Sequence, residues 1–319
     1  MRVDVGVFAH NEALGIAGML RGLLAQDVGG LDVRIVVLCN GCTDGTVVAA
    51  GGAGVAVVDL PQGGKSRTWN RFVHDLARKD ADVLVFCDAD IRLPEGDALR
   101  RLVAGLGDLW VMNSRPVKDI GFDVAPRGML DRVIAGASGG LDDWRTAICG
   151  QFYAMPAARA RRFQMPIGLP VEDGFLRAMV LTDGLTERED FGRIGGGDVF
   201  HVYASERSVA ALIRHQTRIV IGSAINAAVF AHLRGVPMPA HHVELARAAG
   251  DAEWLSRVIK AQLPRWFGYV PLHFLTKRVV RAWRQPTRWP MTVLGFGFDV
   301  IVYVNAQVRM AFGTGAGHW

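Results

Sequence analysis

The sequence contains few cysteines, and no pattern that would arrange them around a structural metal. Four cysteines occur among 319 residues, and only Cys39 and Cys42 form a C-x-x-C pair. Because no second pair follows, a four-thiolate zinc site is excluded. A redox role for the pair stays open, but the loop that contains it also matches another pattern. With few cysteines and no secretory leader pattern, we expect a reducing, cytoplasmic compartment.

Long apolar runs and an ATPase-type phosphate loop are also missing. A membrane-spanning helix needs about 20 apolar residues. The best candidate, Met291 to Ala306, is short and contains Asp299 and Asn305. We expect it to associate with a membrane surface, form a re-entrant hairpin or an oligomer interface, or pack on the rest of the chain. Gly63-Gly64-Lys65-Ser66 suits an anion at a helix start, but the earlier glycine of a Walker A loop is absent, which disfavours ATP hydrolysis.

Acidic residues are absent between Glu253 and Asp299, although the net charge of the whole chain is only +5. Eight basic residues lie in that interval: Arg257, Lys260, Arg265, Lys277, Arg278, Arg281, Arg284 and Arg288. Basic residues mixed with tryptophan are typical of a helix on anionic lipid, which we predict for Leu275 to Gln285. We therefore expect peripheral association with the inner face of the cell membrane, and a homo-oligomer is a second possibility. Nucleic-acid binding is disfavoured, because spaced stacking aromatics are missing.

Apolar strands and amphipathic helices alternate in the first part of the chain. Strands are predicted at Val3 to Ala9, Val33 to Leu38, Val55 to Leu60 and Val83 to Cys87. This alternation indicates an α/β fold with a mostly parallel sheet that is covered by helices on both faces. We predict a catalytic and nucleotide-binding domain at residues 1–205 and a helical, basic, Trp-rich region at 206–319. In such sheets, ligands bind at the carboxyl ends of the strands.

Polar motifs stand at these strand ends. Asp88-Ala89-Asp90 follows the fourth strand, and two carboxylates so spaced can hold Mg²⁺ or Mn²⁺ against a diphosphate, or can simply be solvated loop residues. The segment from Asn40 to Thr46 follows the second strand, where its glycines permit close approach to a ligand or form only a capping turn. Glu172-Asp173 is expected on a loop before a helix at Phe175 to Leu181. It offers either a helix cap or a general base for an acceptor hydroxyl.

The ordered set of motifs resembles family 2 glycosyltransferases. The motifs are His10-Asn11-Glu12, Asn40 to Thr46, Gly63-Gly64-Lys65, Asp88-Ala89-Asp90 and Glu172-Asp173, and they span roughly two-thirds of the chain. The resemblance implies a GT-A fold. It also implies an inverting, metal-dependent transfer from a nucleoside-diphosphate sugar to a hydroxyl acceptor that is lipid-linked or otherwise membrane-bound.

The resemblance implies roles for individual residues. Contacts to the nucleotide sugar are implied for Ala9, Glu12, Asn40, Lys65 and Asp88. Asp90 is implied as the ligand of Mg²⁺ or Mn²⁺, and Asp173 as the catalytic base. Arg218, in a segment similar to the family's Q-x-x-R-W, is expected to stabilise the departing diphosphate. Position 40 departs from the family, which usually has an aspartate there, so the choice of base stays open.

Some residues and two other functions remain as alternatives. His201 is either a further metal ligand or a histidine hydrogen-bonded within a strand. Gly150-Gln151 lines an acceptor pocket or forms a buried turn, and Trp144 stacks on an acceptor or belongs to the core. A sugar-phosphate nucleotidyltransferase would show a Gly-rich, Arg-containing first loop, which is not present. A membrane-surface binding module with a degenerate nucleotide pocket is disfavoured by the intact carboxylates.

Overall fold

The computed structural model describes residues 1–120, 122–123, 144–263, 268–276, 280 and 289–313. Eight strands in these ranges form one sheet in the order β3-β2-β1-β4-β7-β6-β8-β5. The strands are β1 (Arg2–Ala9), β2 (Asp32–Asn40), β3 (Ala56–Leu60), β4 (Val83–Asp88), β5 (Ile91–Arg92), β6 (Val111–Lys118), β7 (Phe152–Pro156) and β8 (Ile194–Tyr203). The expected α/β architecture is confirmed.

The first four strands form the parallel half of the sheet. β1 pairs in parallel with β2 and β4, and β2 pairs in parallel with β3. Seven of the eight residues of β1 are buried, because both faces of the strand are covered. Gly6 of β1 makes room for an aromatic ring, since a Cβ atom at this position would lie 2.8 Å from Cδ1 of Phe72.

The other half of the sheet is mixed. β7 is antiparallel to both β4 and β6, β5 is antiparallel to β8, and β6 and β8 are parallel. The expectation of a mostly parallel sheet therefore holds for the strands that the sequence pattern identified. The antiparallel strand β7 places the turn at Gly150 and Gln151 beside the carboxyl end of β4, because Cys87 pairs with Phe152.

Helices cover the sheet on both faces. In the described ranges they are α1 (Ile16–Leu24), α2 (Thr46–Gly51), α3 (Lys65–Arg71), α4 (Ala98–Ala104), α5 (Ala157–Ala160), α6 (Glu172–Thr182), α7 (Val209–Arg234), α8 (His241–Gly250), α9 (Trp254–Gln262) and α10 (Trp289–Ala311). α3 continues into a π-helical turn at Phe72–Leu76. Alternate residues of β4 enter separate cores, with Leu84 and Phe86 in one and Val83 and Val85 in the other.

The C-terminal helices extend one of these two cores. β8 ends at Tyr203 and α7 begins at Val209, so the predicted division after residue 205 falls between them. Val302, Ala306 and Met310 of α10 are buried, and α10 packs on α7. The apolar segment Met291 to Ala306 thus lies in a helix that packs on the rest of the chain. Most of the predicted basic helix, Leu275 to Gln285, lies outside the described residues.

Among the described residues, no helix is both long enough and apolar enough to cross a membrane.

Candidate active site

Two loops at the carboxyl ends of β1 and β2 are tied together by hydrogen bonds. Nδ1 of His10 donates to the backbone carbonyl of Asn40 over 2.7 Å. Oδ1 of Asn11 accepts from the backbone N–H of Thr43 over 2.8 Å, and Asn11 itself adopts the left-handed conformation with φ 55°. Short polar side chains such as asparagine tolerate this conformation. The two loops therefore form one surface at the edge of the sheet.

Asp44 and Thr46 reinforce the same connection. Asp44 accepts hydrogen bonds from the hydroxyl and the backbone N–H of Thr46, and from the backbone N–H of Ala13. The hydroxyl oxygen of Thr46 in turn accepts from the backbone N–H of Glu12 over 2.7 Å. These bonds hold the pKa of Asp44 below its usual value. Asp44 is thus engaged in shaping the loops.

Asn40 has a buried acceptor without a partner. The residue is buried, and Oδ1 accepts no hydrogen bond within the described part of the chain. A buried polar atom in this state costs free energy unless a ligand or water satisfies it. Nearby, Gly41 has φ 60°, and a Cβ atom there would lie 2.8 Å from Cα of Gly63. The loops after β2 and β3 therefore meet beside Asn40.

The thiol of Cys39, near this surface, is unsuited to redox chemistry. Sγ of Cys42 donates to the carbonyl of Ala9 over 3.4 Å, which places Ala9 beneath the first loop. Burial, followed by the nearby Cys42 and Asp59, raises the pKa of Cys39 to about 12. A thiol with so high a pKa carries almost no thiolate at neutral pH, and thiolate is the reactive form. Cys39 is therefore a structural residue, and Cys42 connects its loop to the end of β1.

Lys65 connects the end of β4 with the start of α6. Its Nζ atom lies 2.7 Å from Oδ2 of Asp88, 2.9 Å from the carbonyl oxygen of Gly150 and 3.5 Å from Oε1 of Glu172. Burial lowers the pKa of Lys65, but the charges of Asp88 and Glu172 outweigh this and raise it above its ordinary value. Lys65 is therefore a cation held among carboxylates. Burial also raises the pKa of Asp88 to about 7, despite the opposing effect of Lys65.

Glu172 and Asp173 lie in the first turn of α6. The prediction that they lie on the loop before this helix is wrong. Oδ1 of Asp173 accepts from the backbone N–H of Gly174 over 2.7 Å. Gly150, with φ 72°, lies beside this carboxylate, since a Cβ atom on it would be 3.3 Å from Oδ2 of Asp173. Burial, followed by the charge of Glu172, raises the pKa of Asp173 to about 6, near that of an effective base at neutral pH.

Helix α7 holds the start of α6 in place. Nδ2 of Asn226 donates to the carbonyl of Val171 over 2.8 Å. Gly222 allows close packing, because a Cβ atom there would lie 2.2 Å from Cγ2 of Val171. Arg218 is one turn earlier on α7. Although part of its side chain is exposed, its guanidinium interacts electrostatically with Glu172, Asp173 and Asp88.

The carboxylate of Asp90 is exposed at the rim of this site. Burial, followed by the charge of Asp90, raises the pKa of Glu12, so the two carboxylates face the same region. No group of three or more His, Cys, Asp or Glu side chains that could enclose a metal occurs among the described residues. One or two exposed carboxylates fit a magnesium or manganese ion that keeps its other positions for phosphate oxygens and water.

His201 is a buried histidine of β8 and has no free nitrogen. Nδ1 lies 3.0 Å from the hydroxyl of Ser114, and Nε2 lies 3.0 Å from Oε1 of Gln151. Burial lowers the pKa of His201 to about 3, so the ring is neutral. Of the two alternatives, the structure supports a hydrogen-bonded strand residue. Gln151 is occupied in the same network, and the buried Trp144 ring packs on Gly196, as expected of a core residue.

The structure thus brings the predicted residues to one edge of the sheet. Asp88, Lys65, Asp173 and Arg218 surround Glu172. Ala9 and Asn40 are the last residues of β1 and β2, and Glu12, on the loop after β1, interacts with Asp90. The sequence analysis had no role for Gly222, Asn226 or the carbonyl of Gly150. A glycine and an asparagine inside a helical pattern were the only signals for the first two.

Comparison with known proteins gives a family and a fold. Residues 4–175, more than half of the chain, match the model of the family described as glycosyl transferase family 2. The fold is similar to that of a mannosyltransferase from Pyrobaculum calidifontis, solved with GDP-Man and Mn²⁺. That comparison has 20% identity, covers 95% of this chain and 86% of the other, and has a TM-score of 0.55. A glucosyl-3-phosphoglycerate synthase from Mycobacterium tuberculosis, solved with Mg²⁺ and UDP, is 20% identical over 74% of this chain and 80% of its own, with a TM-score of 0.49. A search of curated proteins finds no matching sequence.

Proposed function

The chain belongs to glycosyl transferase family 2 and is a nucleotide-sugar glycosyltransferase, and from this premise we propose an inverting, metal-dependent transfer to a hydroxyl acceptor. One observation carries the proposal. Lys65 bridges Asp88, at the end of β4, and Glu172, the neighbour of Asp173, so the donor side and the base side share one centre. Family membership sets aside the nucleotidyltransferase and the purely binding module.

The donor nucleotide is proposed to lie on the two tied loops. Ala9, Glu12 and Asn40 would contact its base and ribose, and Lys65 and Asp88 would lie near its diphosphate and sugar. The unpartnered Oδ1 of Asn40 supports this assignment, because it needs a hydrogen-bond donor such as a ring N–H. Uracil and guanine each present one, and GDP-Man and UDP occur in the two structures compared.

Asp90 is proposed to hold a Mg²⁺ or Mn²⁺ ion, with Glu12 nearby. The exposure of the Asp90 carboxylate supports this role, as does the Mn²⁺ in the structure of the mannosyltransferase. When bound, the ion would offset the charge of the diphosphate and make it a better leaving group.

Asp173 is proposed to take the proton of the acceptor hydroxyl. The hydroxyl oxygen then attacks the anomeric carbon from the face opposite the diphosphate, which leaves with the electrons of the broken bond. This displacement inverts the anomeric configuration. Arg218 is placed to stabilise the departing diphosphate, because its guanidinium belongs to the same charged cluster.

The acceptor is proposed to be lipid-linked or held at a membrane surface. Helix α10 supports this proposal, because the face opposite its buried side exposes Ile301, Val304 and Val308 at helical spacing, and Phe312 is exposed directly after the helix. The basic interval between Glu253 and Asp299 precedes that face in the sequence. Apolar and basic groups together match an anionic lipid surface, which would bring a membrane-bound acceptor to the enzyme.

A thermal-shift screen of nucleotide sugars with and without Mn²⁺ tests the enzymatic proposal. We expect at least one uridine or guanosine diphosphate sugar to raise the melting temperature, more strongly with Mn²⁺, and ATP to have no effect. Consumption of that donor should be lost in Asp173→Asn, while Asp75→Asn, a surface variant, keeps it. The absence of any shift with every donor would contradict the proposal.

A further inference from the structure

Lys65 contacts three different segments of the protein. Its ammonium donates hydrogen bonds to Asp88 and to the carbonyl of Gly150, and it forms an ion pair with Glu172. The Glu172 contact, at 3.5 Å, is the longest of the three. Lys65 therefore links three segments to the start of α3.

Glu172 lies between two cations. Lys65 approaches it from α3, and the guanidinium of Arg218 interacts with it from α7. Its side chain is only 10% exposed, which makes an unpaired charge there unfavourable. Consecutive residues of a helix point about 100° apart, so Glu172 faces Lys65 while Asp173 faces Gly150. The two carboxylates therefore have different direct contacts, although both interact with Lys65 and Arg218.

We propose that Glu172 is a positioning residue for the transfer reaction, an inference that rests on the proposed function. Glu172 shares Lys65 with Asp88 and with the carbonyl of Gly150. Through this shared lysine it fixes the Gly150 turn against the Asp173 carboxylate. Glu172 does not touch the reacting atoms in this role. Its effect reaches Asp173 through the held turn and through its negative charge. A displacement of about 1 Å in such a geometry costs on the order of a hundredfold in rate.

The charge of Glu172 also gives the role a measurable signature. Asp173 is faced by Glu172 from its own helix, by Lys65 from α3 and by Arg218 from α7, and it accepts from the backbone N–H of Gly174. Among the described residues, Cys149 and Tyr153 also interact with it. Both have a raised pKa, so both are neutral. Removing the charge of Glu172 leaves two cations facing Asp173, which lowers the pKa of Asp173.

The test compares Glu172→Gln, which removes the charge, with Glu172→Asp, which keeps the charge on a shorter side chain. Glu244→Gln is the control, because Glu244 is a similarly buried carboxylate on α8 that binds Trp254 and His232. For each variant, kcat and KM for the donor found in the screen are measured from pH 5 to 9, together with the melting temperature.

We expect Glu172→Gln to lower kcat about tenfold or more while KM for the donor changes by less than about threefold. The acid limb of its kcat/KM profile, which reports the free enzyme, should move below the wild-type position near pH 6. Glu172→Asp should also have a lower kcat, but the acid limb of its pH profile should stay at the wild-type position. Glu244→Gln should change only the melting temperature.

Two results would overturn the role of Glu172. One is that Glu172→Gln keeps the kcat of the wild-type protein and an acid limb at the wild-type pH. The other is that its activity falls only in proportion to its melting temperature while the acid limb stays in place, which is what the loss of any structural carboxylate would give. A wild-type rate in Asp173→Asn would instead contradict the proposed function, since a base is then not required at that position.

Discussion

Gly222 of helix α7 lies directly against Val171, the residue that precedes Glu172 and Asp173. A methyl group on Gly222 would approach Cγ2 of Val171 to 2.2 Å and its backbone nitrogen to 3.1 Å. The side chain of Val171 can rotate, but its backbone is held by Asn226. The two helices are thus packed so closely that the position of the proposed base depends on the absence of a side chain on its neighbour.

Gly222→Ala should therefore impair activity and stability together. We expect kcat to fall by about a hundredfold, because the start of α6 must shift. Overpacking should cost about 1–3 kcal/mol in the free energy of unfolding. Activity assays and urea unfolding measure the two effects. Gly22→Ala, on the exposed side of α1 with nothing within 4 Å of the added carbon, should instead be neutral or stabilising. Full activity in Gly222→Ala would show that α6 is not held by this contact.

Asp90→Asn should remove the metal-dependent part of nucleotide binding. We expect the affinity for UDP or GDP in Mn²⁺ to fall by about tenfold or more, because one carboxylate ligand of a sparsely ligated ion is lost. Without metal, the variant and the wild-type protein should bind alike. Isothermal titration calorimetry with and without EDTA checks both statements. His201→Gln should keep the metal effect, because both nitrogens of His201 are already bonded within the protein. Loss of the effect in that variant would make His201 a metal ligand.

Asp173→Asn should stabilise the folded protein at high pH. The pKa of Asp173 is raised from 3.8 to about 6 in the folded state. A raised carboxyl pKa means that its stabilising contribution is present below pH about 4 and is lost as the pH rises through about 6. At pH 8, removal of this buried charge should therefore add on the order of 3 kcal/mol to the free energy of unfolding.

Urea unfolding at pH 4.5 and pH 8 measures this difference. At pH 4.5 the advantage of the variant should shrink to about 1 kcal/mol, because the unfolded carboxyl is still mostly ionised there while the folded one is protonated. Asp75→Asn changes an exposed ion pair with Arg71, so it should alter stability only slightly at either pH. If Asp173→Asn were less stable than wild type at pH 8, the attraction of the Asp173 charge to Lys65 and Arg218 would outweigh the free-energy cost of burying that charge.

Asp4→Asn should cause a large loss of stability far from the active site. Asp4 is completely buried and accepts from Nε of Arg78 over 2.7 Å and from the backbone N–H of the same residue over 2.6 Å. Asn cannot supply the charged acceptor, but Arg78 keeps its ion pair with Asp32 at 2.8 Å, so we expect a cost of about 1–3 kcal/mol. Urea unfolding at pH 7 should show this cost, and the KM for the donor should be unchanged. A loss below about 1 kcal/mol would mean that the ion pair with Asp32 is enough to compensate Arg78.

The parallel half of the fold was predictable because its strands are continuous apolar runs. All four predicted strands appear in the structure within about two residues of their expected bounds. The second half was not, because β6 to β8 alternate between cores and include glycines such as Gly195 and Gly196 that accommodate Leu109 and Trp144. A local pattern cannot encode such a contact, since its partner is distant in sequence.

The site was predicted in its composition and not in its connections. The motif order identified Asp88, Asp90 and Asp173 as candidates, and the structure brings their segments to one edge of the sheet. No sequence pattern indicated that Lys65 would bind Asp88 and Glu172 at once, because an ion pair among three elements depends on the packed structure. The roles of these residues remain predictions for the experiments above.

The cross-linked loops after β1 and β2 have a consequence for how donor preference evolves. Their bonds, from His10 to the carbonyl of Asn40 and from the N–H of Glu12 to Thr46, are present before any nucleotide arrives, so little entropy is lost in ordering them on binding. The backbone around position 40 is therefore a fixed frame for the Asn40 side chain. In the proposed binding mode, a single substitution there would change nucleobase selectivity without rebuilding the pocket wall.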